Sequence, residues 1–368
     1  MARGQVARGA LLLAAAFGAT PASAQRIDEL KAPAGFKVEY FAKDVAGARM
    51  MAIAPDGAVY VSQPSQGRVL RLVDANHDGV AESRSVVVSG LTLPHGLAFH
   101  AGYLYIAATG AVMRVSLDAN GVAKGAPDTL ARYSGGGGHF SRTVIFGADG
   151  AMYVSIGSTC NICVETSDDR AAVLRFDDQG RNRMVFSRGL RNAVGLALHP
   201  VTHQVWVTQN ERDMLAPDYQ DLPPEEINIL QEGADYGWPY CYGNRIPNPE
   251  FKDAARCRNT VPPALELQAH SAPLGITFLA NATNFPREWR GDAIVAYHGS
   301  WNRSVPTGAK LVRIRVANGK PVGVEDFVTG WQRADNTRWG RPVDVVVAAD
   351  GSLLVSDDRA GVIYRVSH

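Results

Sequence analysis

The sequence reads as an all-β chain folded into a six-bladed β-propeller, and three observations point there. A strand–turn–strand–loop–strand unit recurs six times. Within the units, apolar runs flank Asp-Gly and similar dipeptides, a strong hairpin signal. Sustained helical periodicity is almost absent. Units returning at irregular spacings of about 40 to 80 residues mean a propeller or array, and closing them in a ring protects the sheet edges.

The first residues stand outside that pattern. Arg3 and Arg8 accompany the apolar run "ALLLAAAFGA", and "ASAQ" offers small residues at a cleavage point. This predicts a secretory signal peptide over residues 1–24, with the mature chain starting at Gln25. The apolar run is too short to cross a bilayer comfortably, and no other stretch is long and apolar enough. The mature protein is therefore expected in the periplasm or outside the cell, with no membrane span after cleavage. Residues 25–368 are expected to form a single propeller domain.

The units follow in order. "MMAIAPDGAVYVSQPSQGRVLRLV" starts at Met50, and "PHGLAFHAGYLYIAATGAVMRVSL" at Pro94. "SRTVIFGADGAMYVSIGS" starts at Ser141 and continues to "AAVLRF". "AVGLALHPVTHQVWVTQN" starts at Ala193 and continues to "EEINIL". "PLGITFLA" starts at Pro273 and runs through "GDAIVAYHGSWNRS" to "KLVRIRV". "PVDVVVAADGSLLVSDDRAGVIYRV" starts at Pro342. The longer spacings after units three and four hold inserted loops, the kind of segment that carries function on a rigid scaffold.

Lys and Arg total 37 against 36 Asp and Glu, a balance that gives no sign of a nucleic-acid surface. Four cysteines in an exported chain read as two possible disulfides. Cys160 and Cys163 lie in "STCNICVE", and Cys241 and Cys257 flank a short loop; pairing within each couple is the simplest of three connectivities. Val164 follows the second Cys of C-x-x-C where c-type haem attachment needs His, and no βαβ context supports a thioredoxin-like site.

Candidate site residues gather just before the first strands. His139 ends the run "GGGGH" ahead of unit three, His95 lies in "LPHGLAF" of unit two, and Arg191 and Asn192 lie in "GLRNAVGLA" of unit four. His270 and Ser271 precede unit five, and Arg341 precedes unit six. Equivalent positions in a propeller converge on one mouth of its channel. An imidazole there suits proton abstraction near neutral pH, and guanidinium groups suit an anionic ligand. The glycines before His139 let the backbone pass close to whatever binds.

Two oxygen-rich segments raise metal binding. "VTQNERDMLAPDYQDLPPEEIN" contains Gln209, Asn210, Glu211, Asp213, Asp218, Asp221, Glu225 and Glu226, which suit a hard cation such as Ca²⁺ or a solvated polar loop equally. "DANHDGVAE" spaces Asp74, Asn76, Asp78 and Glu82 like part of a calcium loop, but Ser85 stands at the twelfth position, so a polar turn is the better reading.

The motifs "GGGGHFSR", "GLRNAVGLALHP", "EEIN…GADYGWP", "HGSWNRS" and "GRPVDVVVAADGSLLVSDD" resemble the soluble pyrroloquinoline quinone (PQQ)-dependent glucose/sorbosone dehydrogenases, in particular the L-sorbosone dehydrogenase-like branch. The resemblance covers nearly the whole mature chain. It implies a propeller holding PQQ and Ca²⁺ at the channel mouth and oxidising an aldose, sorbosone-type sugar or aldehyde. It makes His139 the general base. His95, Arg191, Asn192, Asn210, Arg303 and Arg341 would contact the cofactor, with Ca²⁺ on the carbonyls of Glu211 and Arg212. A separate electron acceptor is expected, because no haem domain is fused. The chain departs from the family at three places: Glu211–Arg212 replaces a Gly-Pro pair, Val343 replaces a second arginine, and Asn302 or Arg303 stands for a lysine. Two other readings share the fold: a metal-dependent sugar-lactone hydrolase, which wants a carboxylate and amide cluster, and a non-catalytic propeller binding an anionic glycan or peptide.

Overall fold

The computed structural model describes residues 26–217 and 219–368; the expected signal peptide lies outside the described residues. Six antiparallel four-stranded sheets form the blades. Blade one comprises Met51–Ile53, Val59–Gln63, Arg68–Val73 and Ser83–Val88. Blade two comprises Pro94–His100, Tyr103–Ala108, Ala111–Ser116 and Asp128–Arg132. Blade three comprises Arg142–Phe146, Met152–Ile156, Ala172–Phe176 and Met184–Arg188, with Ala234–Asp235 added in parallel on its edge. Blade four comprises Ala193–Leu198, Val205–Gln209, Glu225–Ile229 and Leu265–Leu267, and blade five Pro273–Phe278, Ala293–Tyr297, Lys310–Ala317 and Lys320–Val328. Blade six combines Pro342–Val347, Leu353–Asp357 and Val362–Ser367 with Lys37–Ala42 from the other end of the chain. In that last pairing Lys37 lies opposite Ser367 and Tyr40 opposite Tyr364.

The six repeat units are thus six blades, but each blade has a fourth strand that the three-strand repeat lacks. The outer strands are half exposed, as in Ser83–Val88 and Asp128–Arg132, so their apolar alternation is weak and they read as loop. Stability comes from packing between blades. Six apolar clusters occupy the six blade interfaces, from Tyr60, Val69 and Leu104 between blades one and two to Leu70, Leu72, Leu354 and Ile363 between six and one. Burying such side chains stabilises by about 1.5–3 kcal/mol each.

The inner strands crowd the channel. Their pairing slips at one equivalent place in blades two, four, five and six. Gly96, Gly195 and Gly275 occupy that slip, and a Cβ on Gly96 would lie 2.6 Å from Thr143 Cα of the next blade. The slip frees inner-strand N–H groups, and hydroxyls on the second strands receive them: Gly195 N donates to Thr208 Oγ1 (2.9 Å), and Asp344 N to Ser356 Oγ (3.1 Å). In blade six, Asp344 stands where others carry glycine, and its carboxylate accepts from Met51 N (2.7 Å), tying the last blade to the first. Met50, Val194, Leu274 and Val343 pack together as an apolar floor across the channel.

Both disulfides join the local couples, Cys160–Cys163 and Cys241–Cys257. In "DANHDGVAE" the side chains serve the turn: Asp78 N donates to Asp74 Oδ1 and Asn76 Oδ1, Gly79 N to Asp74 Oδ2, and Ala75 N to Glu82 Oε2.

Candidate active site

At one end of the channel, residues just before the first strands meet residues just after the second strands. His139 comes from the first set. Its Nδ1 lies 2.9 Å from Ser158 O and 3.0 Å from Ser158 Oγ. A carbonyl oxygen only accepts, so Nδ1 carries the proton and Nε2 keeps its lone pair. Burial, reinforced by the Arg191 charge, pushes the imidazole down to about 4, so it is neutral at physiological pH. Arg142 steadies the segment from below, donating to the His139 and Ser141 carbonyls (2.9 and 2.7 Å). Gly157 sits between His139 and Asn192: a Cβ there would lie 2.7 Å from His139 Cβ and 2.5 Å from Asn192 Oδ1. No larger residue fits at position 157 without driving these two apart.

Arg191 is buried beside them. Its Nε donates to Asn161 O (3.0 Å) and its Nη2 to Asn161 Oδ1 (2.9 Å), while Nη1 donates to Asn210 O (3.2 Å) and Glu211 O (2.7 Å). Four of its five N–H groups are thereby engaged. It presents a fixed positive charge rather than an open fork. Asn192 Oδ1 is buried without a hydrogen-bond partner, an acceptor available to a donor-bearing ligand. Asn210 bonds through Nδ2 to Pro273 O (2.7 Å), which turns its side chain along the rim.

Arg341 enters from blade six. Its Nε and Nη2 donate to His298 O and Gly299 O (both 2.8 Å). Beside it, His298 Nε2 lies 3.0 Å from Asp358 Oδ1, and Arg49 Nη1 donates to Asp358 Oδ2 (2.8 Å). Burial raises the Asp358 carboxyl, but His298 and the Arg49 and Arg341 charges outweigh it and hold the group below the usual range. Arg49 precedes the first strand of unit one, as Arg341 precedes that of unit six. Sequence reasoning missed it, although its placement in "GARMMAIAP" is the signal. His298 and Asp358 follow second strands, as Asn210 does, and were not among the expected residues.

Two expected residues, His95 and Arg303, lie elsewhere than expected. His95 is fully buried at the inner-strand position equivalent to Val194, Leu274 and Val343, deeper than His139 by the blade register. Its Nδ1 lies 3.1 Å from Arg142 O, its Nε2 accepts from Arg49 Nε (3.4 Å), and burial with the Arg49 charge lowers its pKa well below the usual value. It accepts from Arg49 inside the channel, below the level of His139. Arg303 pairs with Asp221 (2.9 Å) and the Gln220 carbonyl on the rim, whereas Asn302 donates inward to Asp213 Oδ1 (2.9 Å). The Arg212 side chain turns away to Glu250 (2.6 Å) and Asn248 (3.2 Å).

The expected metal position does not fit these residues. The Glu211 carbonyl already accepts from the Arg191 guanidinium. A dication on the same oxygen at about 2.3–2.6 Å would stand against that fixed charge. Two unit charges 4 Å apart near a protein surface repel by about 4 kcal/mol, and a dication doubles this. The oxygen-rich segment is exposed through its middle, at Met214, Tyr219 and Leu222, and buried where it joins the strands. Gln209, Glu211, Glu225 and Glu226 are buried. Burial raises the Glu211 and Glu226 carboxyls and pushes Glu225 up to about 8.

The residues before the first strands and after the second strands therefore form two charged groups, Arg191 with Asp213 beside the neutral His139 and the orphaned Asn192 Oδ1, and Arg49 and Arg341 with Asp358. This donor set fits an anionic, planar cofactor of the PQQ kind: fixed cations to meet its carboxylates, and a proton acceptor beside them.

Comparison with known proteins extends this. The chain is 29% identical over 367 residues to an uncharacterized protein of Borreliella burgdorferi, covering 94% of this chain and 93% of that one. It is 26% identical over 420 residues to the pyrroloquinoline quinone-dependent pyranose dehydrogenase of Coprinopsis cinerea, covering 95% of this chain but only 56% of that protein's length. The holo form of the PQQ domain of pyranose dehydrogenase from Coprinopsis cinerea shares the fold, with a TM-score of 0.79, 23% identity, and coverage of 92% of this chain and 97% of that one. Residues 30–368 match the family described as TrAA12-like, and with that match over nearly the whole propeller the chain belongs to the TrAA12-like family.

Proposed function

We propose that the protein is a quinoprotein oxidoreductase that oxidises a sugar of the aldose or sorbosone type, with PQQ held at the channel mouth. The observation that carries this is His139: neutral, pinned through Nδ1, and offering Nε2 beside the Arg191 charge. The TrAA12-like match and the names of relatives such as the Coprinopsis pyranose dehydrogenase support it. When bound, PQQ supplies a two-electron acceptor for hydride from the carbinol carbon. Arg341, Arg49 and Arg191 would hold it by setting positive charge against its carboxylates. Asn192 Oδ1 accepts from a hydroxyl or ring N–H. His139 Nε2 takes the substrate hydroxyl proton, and Ser158 O keeps the ring in the tautomer that can do so. No step is assigned to calcium, since the Glu211 carbonyl already accepts from the Arg191 guanidinium. The two disulfides fit export to an oxidising compartment, and electrons leave to a separate acceptor.

The test is a titration of the purified protein with PQQ, followed by its visible spectrum, then a panel of aldoses, pyranoses and sorbosone. Saturable binding and bleaching on sugar addition are expected. No binding at micromolar PQQ would reject the reading.

A further inference from the structure

The loop at residues 158–163 touches both halves of the proposed chemistry. Ser158 meets His139 Nδ1 through its carbonyl and its hydroxyl, and that hydroxyl donates to Cys160 O (2.6 Å). Cys160 and Cys163 then close the loop by their disulfide. Between them, Asn161 spends every polar group it has apart from its own N–H. Its carbonyl accepts from Arg191 Nε (3.0 Å) and Trp238 Nε1 (3.3 Å). Its Oδ1 accepts from Arg191 Nη2 (2.9 Å) and Asp213 N (2.8 Å), and its Nδ2 donates to Asp213 O (2.9 Å).

We infer that Asn161, fixed by the Cys160–Cys163 loop, is a positioning residue that locks the Arg191 guanidinium beside His139 and so sets the affinity and orientation of the cofactor. The chemistry explains the residue type. The side chain must accept from Arg191 and Asp213 N while donating to Asp213 O, and only a carboxamide does both. The two acceptors of Asn161 grip two different nitrogens of one planar group, which fixes its rotation as well as its place. Arg191 brings no rotamer freedom to the ligand, because its ordering is completed within the protein. Asn161 touches no reacting atom; it acts through Arg191. The inference rests on the reading of the mouth as a PQQ site.

The experiment compares wild type, Asn161→Ala, Asn161→Asp and the Cys160→Ser/Cys163→Ser double variant. PQQ affinity is read by absorbance titration, kcat and KM for sugar separately, and melting temperature as a control. Losing a bond to a charged partner is worth about tenfold or more in affinity. Asn161→Ala is expected to weaken PQQ binding about tenfold and lower kcat while leaving sugar KM unchanged. Asn161→Asp keeps the acceptors for Arg191 and is expected to recover most of that loss. The double variant leaves Asn161 in an untied loop and is expected to bind PQQ more weakly than wild type, so it carries the test if Asn161→Ala does not fold. Wild-type PQQ affinity in both Asn161→Ala and the double variant overturns the inference, as does an Asn161→Asp defect equal to that of Ala. A wild type that takes up no PQQ overturns the functional reading first, and this inference with it.

Discussion

His139 is the residue on which activity turns. His139→Ala is expected to abolish turnover while PQQ still binds, measured by stopped-flow bleaching of the bound quinone against the binding titration. The pH dependence follows from its surroundings. Burial and Arg191 hold its pKa near 4, and the ring accepts a proton only above that value. The acid limb of kcat/KM should therefore lie near pH 4, not at the ordinary histidine value. Arg191→Gln removes one of the causes and should move the limb upward. Glu225 behaves oppositely. Its folded pKa is raised to about 8 from 4.5, so the folded chain holds a proton that the unfolded chain releases. That stabilisation is complete below about pH 4.5 and is lost progressively as pH rises towards 8. Melting curves should show this slope, and Glu225→Gln should flatten it. At this scale the sequence was partly readable. His139, Arg191, Asn192 and Arg341 all stand before first strands and all reach the mouth. His95 was misplaced because a few residues along an inner strand separate the rim from the channel interior. Asn161 was invisible, since C-x-x-C announces a disulfide but says nothing of where the enclosed amide points.

At the scale of the element, the inner hairpins were legible because both of their strands are buried and bounded by turn residues. The outer strands were not, since a strand with one wet face and irregular alternation resembles loop. The slip in the inner strands has a sequence mark in hindsight: "HGLAF", "VGLAL" and "LGITF" each place glycine where a neighbouring backbone passes. Gly275→Ala would press a methyl into Asp344 of the next blade and is expected to cost about 3 kcal/mol by urea denaturation. The Cys241–Cys257 disulfide spans 16 residues. Replacing both cysteines with serine should cost about 3 kcal/mol in the same measurement, while the mouth residues stay in place and PQQ affinity is retained.

Over the whole molecule, the count of blades was readable but the way the ring shuts was not. Lys37–Ala42 precedes the first repeat and has no partner near it in sequence; it completes blade six against Val362–Ser367. The reason is topological: each repeat predicts its own hairpins, whereas closure joins strands from opposite ends. That seam has a consequence for how the protein is made. Pairing Lys37 with Ser367 cannot begin until the final strand has been synthesised. Until then the growing chain carries an unpaired strand at its leading end and an exposed blade face at its trailing one, surfaces that a protease can reach. A nascent chain halted before residue 362 should therefore remain protease-sensitive however many blades it has already formed.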